Sequence, residues 1–223
     1  MINIAIDGPS GAGKSSLAKQ LAQELGYLYV DTGAMYRAIG LYAVRRGADP
    51  KNGEQVEPLL PEIQLDIRLV EGTQHIYLNG EDVSTDIRAE KIGMAASGVS
   101  AIPAVRQFLL DTQRDLARAN NVLMDGRDIG TVILPHAQVK IFLTASDTAR
   151  AQRRYKELVE KGQTPDYEQV LADIRQRDYQ DSHRAVAPLR QAEDAVLVDT
   201  SHLNLEESLE ALKAVIREKV GQA

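Results

Sequence analysis

Seven residues in from the N-terminus, Gly8-Pro9-Ser10-Gly11-Ala12-Gly13-Lys14-Ser15 places a glycine, four further residues and then Gly-Lys-Ser directly after the apolar run Ile2–Ile6. Glycines let successive backbone N–H groups share one concave face, and the start of a following helix adds the positive end of its dipole. Such a surface holds a polyphosphate. In this P-loop pattern Lys14 reaches the β- and γ-phosphates, and the hydroxyl of Ser15, followed by Ser16, ligates a Mg²⁺ that bridges phosphate oxygens. Two other stretches set carboxylates beside arginines: Asp31-Thr32-Gly33-Ala34-Met35-Tyr36-Arg37 and Asp125-Gly126-Arg127-Asp128. Eleven of the seventeen arginines fall between positions 106 and 190, enough to bind a small anion on a chain whose net charge is −6. The plainer alternative makes Asp125 a helix cap and Arg37 a solvated helix residue.

These residues need a scaffold, and the hydrophobic pattern supplies one. Short apolar runs predict buried strands at Ile2–Ile6, Tyr27–Val30, Val122–Met124, Val139–Leu143 and Ala195–Val198. Helical periodicity predicts helices at Lys14–Leu25, Ala34–Arg45, Ala104–Ala119, Asp147–Lys161, Tyr167–Asp178 and Leu205–Val220. Alternation of this kind gives an α/β fold: a three-layer sandwich of P-loop NTPase type around a central parallel sheet. Ligands then gather at the carboxyl edge of the strands, where both carboxylate and arginine stretches emerge. Thr164-Pro165 fits a helix N-cap with proline in the first turn, and Asn204 with Glu207 resembles a capping box. Between about 48 and 88 the alternation breaks. There Ile63–Leu69 and His75–Leu78 alternate with period two around Gly72-Thr73, as in a small antiparallel insert that is either a surface decoration or a flap over a second substrate.

Composition excludes several classes. Without cysteine there are no disulfides, thiolate metal sites or thiol nucleophiles. The acidic balance argues against nucleic acid as a partner. Asp7 interrupts the first apolar run, so neither secretion nor membrane spanning is expected and the cytoplasm is the expected location. The base-reading Asn-Lys-x-Asp and the Asp-x-x-Gly of nucleotide switches are absent, which leaves a kinase as the leading expectation. A slowly hydrolysing binding module and a kinase of another small acceptor stand as alternatives.

The chain resembles the nucleoside monophosphate kinases, and among them the bacterial cytidylate kinases of the long form. The resemblance rests on Ile6-Asp7-Gly8 through Ser15, on Asp31 through Arg37, on Asp125-Gly126-Arg127-Asp128-Ile129-Gly130-Thr131 and on Arg184-Ala185-Val186-Ala187-Pro188-Leu189, nearly end to end. Ser15-Ser16 departs from the commoner Gly-Thr pair but keeps the hydroxyl. The Asp-Gly-Arg-Asp segment separates the chain from adenylate kinases, which carry a proline-containing segment there.

The resemblance implies one kinase domain over 1–223, with a monophosphate-binding region at about 37–104, the β insert at about 48–88 and a lid at about 150–162. It implies ATP with Mg²⁺ as donor, CMP and dCMP as acceptors, and a monomer. Gly8, Pro9, Ser10, Gly11, Ala12, Gly13, Lys14, Ser15 and Ser16 would hold the ATP phosphates, with Asp125 holding the metal through water. Arg37, Arg127 and Arg184 would clamp the acceptor phosphate, with Thr32 also on the acceptor. Ser97, Arg106 and Asp128 would read cytosine, and Arg177 with Asp181 would meet the ribose. Lys14, Arg127, Arg153 and Arg154 would neutralise charge on the transferring group. On spacing alone, Arg150, Arg153 and Arg154 equally form an exposed basic helix face.

Overall fold

A computed structural model describes residues 1–70 and 73–221. In chain order the elements are β1 (Asn3–Asp7), α1 (Lys14–Leu25), β2 (Leu28–Asp31), α2 (Thr32–Arg45), α3 (Gly53–Val56), β3 (Leu65–Val70), β4 (Thr73–Leu78) and β5 (Glu81–Asp82). They continue with α4 (Glu90–Val99), α5 (Pro103–Ala119), β6 (Val122–Gly126), β7 (Val139–Thr144), α6 (Asp147–Glu160), α7 (Tyr167–His183), β8 (Val196–Asp199) and α8 (Leu205–Val220). Two compact units divide the chain: Met1–Tyr29 with Asn120–Ala223, and Val30–Ala119.

The first unit is built on a sheet of order β2-β6-β1-β7-β8, with β1 parallel to both β6 and β7 and β7 parallel to β8. Strands covered on both faces must be apolar throughout, which is why β1, β6 and β7 read as continuous runs rather than alternating ones. Ile4, Ile6, Leu123, Ile141 and Leu143 form one core with Leu17 and Leu21 of α1 and with Leu209, Leu212 and Ile216 of α8. The helix positions recur at three to four residues, so each helix turns one stripe inward. The capping box expected at Asn204 and Glu207 is present, with both reciprocal bonds made, at 2.8 and 2.9 Å. β1 and β6 are neighbours, so the loop after one and the residues ending the other leave the same sheet edge.

Residues 30–119 form a second core. Here α2 packs on α4 so closely that a Cβ on Gly40 would lie 3.0 Å from the Ala96 backbone nitrogen. The insert is an antiparallel sheet of order β3-β4-β5 with Ile67 opposite Ile76, as the alternation predicts. Gly72 of the expected turn lies outside the described residues. Arg45 ties the end of α2 to this segment through Glu81 and Asp86, at 2.7 and 2.9 Å.

Two expectations change, and one alternative falls. The N-cap of α7 is Asp166, which accepts from the Glu168 N–H, rather than Thr164; a carboxylate is the stronger acceptor at a helix N-terminus, and Pro165 precedes the cap. α7 also continues five residues past Asp178, because Gln180, Asp181, Ser182 and His183 leave the helix intact despite ending the apolar stripe. Asp125 ends no helix: it lies within β6.

Candidate active site

The loop from Gly8 to Gly13 follows β1 and opens α1, as the P-loop pattern requires. Gly8 has φ +151°, and a Cβ there would fall 1.9 Å from the Leu143 carbonyl oxygen, so no other residue fits. Gly13, with φ +90°, is the left-handed N-cap of α1 and offers no side-chain cap to its first N–H groups. Those donors therefore remain available to an anion. The Lys14 ammonium folds back to donate to the Pro9 carbonyl at 2.7 Å and is only 6% exposed. Ser15 donates its hydroxyl to Asp125 Oδ2 at 2.9 Å, and the Tyr29 hydroxyl donates to Oδ1 at 3.1 Å. Ser16 is exposed on α1.

Two further ion pairs continue this polar cluster within the first unit. Arg127 Nε donates to Asp181 at 2.8 Å, and Arg184 donates to Asp128 at 3.3 Å between side chains that are both nearly inaccessible. Burial works against ionisation of Asp181, but Arg127, then Arg184 and Arg177, overcome it and hold its carboxyl below the ordinary range. The acid on α7 and the arginine after β6 thus stay charged together. Asp128 opens a π turn over Ile129–Ile133, a form of backbone that recurs at functional sites.

The basic helix α6 is not a uniform solvated face. Arg150 is buried: it makes a two-pronged pair with Asp178 at 2.9 and 2.6 Å and donates to the Ser10 carbonyl at 3.0 Å. It therefore braces the P-loop against α7. Arg153 donates to Thr200 and to the Leu203 carbonyl, and Arg154 pairs with Glu157 at 3.0 Å, so these two are engaged away from the P-loop.

In the second unit Asp31 caps α2 by accepting from the Ala34 N–H, which fixes the turn before buried Thr32 and half-buried Arg37. Arg106 is buried, lies 5.6 Å over the Tyr36 ring and donates to the Ser100 carbonyl at 3.2 Å. The Ser100 hydroxyl donates in turn to the Ser97 carbonyl, so Ser97 and Arg106 belong to one hydrogen-bonded group.

The family model described as cytidylate kinase matches residues 4–218. The chain belongs to the cytidylate kinase family. It is similar to the cytidylate kinase of Caldicellulosiruptor saccharolyticus, at 49% identity over 99% of this chain and 97% of that one. The cytidylate kinases of Anoxybacillus flavithermus and Mycolicibacterium paratuberculosis match at 46% and 47%, over 98% and 97% of this chain and 97% and 95% of theirs. Membership of the cytidylate kinases makes the chain a P-loop kinase, a nucleotide-binding transferase.

For a cytidylate kinase family member, the electrostatic state of Lys14 is informative. Burial, and next the Arg127 charge, push its pKa down to about 7 against the pull of Asp125, Asp181 and Asp7. A lysine whose folded pKa lies below its ordinary 10.5 takes up its proton more readily unfolded, so it weakens the fold as pH drops from 10.5 towards 7. Lys14→Met is therefore expected to raise the Tm of the nucleotide-free protein. The gap between variant and parent should widen from about pH 10 to about pH 7, by on the order of several degrees. Scanning calorimetry at both pH values checks this, and an equal gap at each would contradict a buried, destabilised ammonium.

Sequence reasoning gave no role in the site to Tyr29, Asp178 and Asp7. Tyr29 and Asp178 carry no local signal, since each meets its partner only through the fold. Asp7 did carry one, as an acid directly between a buried strand and the P-loop.

Proposed function

We propose that this chain transfers the γ-phosphoryl group of ATP, taken as its Mg²⁺ complex, to CMP and dCMP, giving ADP with CDP or dCDP. The observation that carries this reading is the family match over nearly the whole chain, 4–218. The donor set agrees with Mg²⁺, because the Ser15 hydroxyl and Asp125 carboxylate offer hard oxygens beside a glycine cradle for phosphates. Bound there, Mg²⁺ would neutralise charge on the phosphates. Ser15 would contribute its oxygen directly and Asp125 through water.

The remaining roles fall to side chains. Lys14 would follow the transferring group, and Arg37, Arg127 and Arg184 would grip the acceptor phosphate, since a planar guanidinium offers two parallel donors to phosphate oxygens. Asp128, Ser97 and Arg106 would read the cytosine edge, Arg177 and Asp181 the ribose hydroxyls, with Thr32 on the acceptor as well. The Arg127–Asp181 and Arg184–Asp128 pairs would then be exchanged for acceptor contacts. No general base is needed, because the acceptor phosphate is already an anion at neutral pH. Residues 1–223 would act as one kinase domain and as a monomer in the cytoplasm, with 37–104, including the insert at 48–88, serving the monophosphate. The segment 150–162 would serve as a lid that excludes water, Arg153 and Arg154 leaving their present partners for the phosphates.

Arg37→Ala, Arg127→Ala and Arg184→Ala are each expected to weaken CMP by about 1.5–3 kcal/mol while leaving ATP affinity largely intact. Titration with each nucleotide alone measures this; a comparable loss for ATP would move the residue to the donor side. The function itself is tested by a steady-state panel of CMP, dCMP, UMP, AMP and GMP with ATP and Mg²⁺. CMP and dCMP should lead, and equal rates across the bases would overturn the cytosine assignment.

A further inference from the structure

Asp7 is buried at the end of β1, one residue before the P-loop. Its two oxygens each accept a backbone N–H from the turn after β6: Ile129 N–H to Oδ1 and Gly130 N–H to Oδ2, both at 2.7 Å. The turn presses onto this carboxylate, for a Cβ on Gly130 would lie 3.3 Å from Oδ2 and 3.2 Å from the Lys140 stem. Both tethered residues directly follow Asp128, so the two bonds fix the backbone from which the Asp128 side chain springs. We infer that Asp7 is a positioning residue for acceptor choice, its carboxylate holding the Ile129–Ile133 turn so that Asp128 is aimed at the base. The inference rests on the cytosine-reading role proposed above for Asp128.

The charges facing Asp7 are consistent with a held carboxylate under tension. Burial pushes its pKa up to about 6, the N–H groups of Gly130 and Ile129 pull it down, the Asp128 charge raises it again and Lys14 lowers it. At neutral pH it is therefore ionised and able to accept both bonds. Asparagine has the same shape but only one acceptor oxygen, and its amide would set N–H against N–H at the other position. Asp7→Asn thus removes one tether and leaves the volume filled.

The test compares kcat/KM for CMP and for UMP in the parent, Asp7→Asn and Asp128→Asn, together with the KM for ATP. Asp7→Asn is expected to shrink the CMP to UMP ratio about tenfold, with KM for ATP unchanged. A merely structural role, or an altered Lys14, would slow both acceptors alike and leave their ratio in place. If Asp128→Asn shrinks the ratio and Asp7→Asn does not, the inference is overturned while the base-reading role stands. If neither variant moves it, both fall. Should Asp7→Asn fail to fold, amide hydrogen exchange on the parent protein decides. Protected Ile129 and Gly130 amides are expected, and exchange at the rate of open loops would refute the tether.

Discussion

Lys14→Ala is expected to fold and to lose phosphoryl transfer by ~10²-fold or more. The ammonium is buried and donates to the Pro9 carbonyl of its own loop at 2.7 Å; among the described residues no carboxylate bonds it directly. Its charge is poorly compensated there, as the depression of its pKa to about 7 records: burial first, then Arg127. A polyphosphate would supply the missing negative charge, raise that pKa and draw the side chain out of its contact with Pro9. In the proposed role this cation would track the migrating phosphoryl charge, and its removal should cost several kcal/mol of transition-state stabilisation, seen in kcat more than in KM. Steady-state rates with saturating CMP and ATP measure it, with circular dichroism to confirm the fold. Near-normal turnover in the variant would remove Lys14 from the chemistry.

Asp128→Ala should lower efficiency on CMP and shrink the CMP to UMP ratio together. Cytosine offers an amino donor where uracil offers a carbonyl, and an ionised carboxylate can only accept. UMP would then set a lone pair against the buried Asp128 carboxylate, where an unpaired polar group is costly. Discrimination built this way reaches ~10²-fold or more, whereas an apolar pocket of the same shape gives far less. The structure adds a constraint: Asp128 is paired with Arg184 at 3.3 Å, so alanine also releases an arginine proposed to grip the acceptor phosphate. That second effect falls on both nucleotides equally and cancels in the ratio. Equal losses on CMP and UMP would make Asp128 a purely structural partner of Arg184.

Much of this site was legible in the sequence because its signals are local. The apolar runs gave β1, β6 and β7, and the P-loop spacing gave the order of strand, cradle and helix. Three things were not legible. Helix α4, Glu90–Val99, carries Gly93 and Gly98 among small residues, a composition that weakens the helical signal. Close packing demands part of it: a Cβ on Gly98 would lie 3.0 Å from the Pro50 carbonyl oxygen. The π turn after Asp128 is held by Asp7, 122 positions away, so no local pattern announces it. Arg150 sits on a helix with Arg153 and Arg154, and spacing cannot separate them. Its burial depends on Asp178, which meets it only once α6 and α7 pack together.

Phosphoryl transfer to an acceptor, rather than hydrolysis, is the centre of the mechanism, and the fate of labelled phosphate tests it most directly. With ATP labelled at the γ-phosphate, Mg²⁺ and CMP, the label is expected to appear in CDP, and omission of CMP should reduce its release to a small residual rate. Label accumulating as inorganic phosphate at the same rate with and without CMP would contradict it.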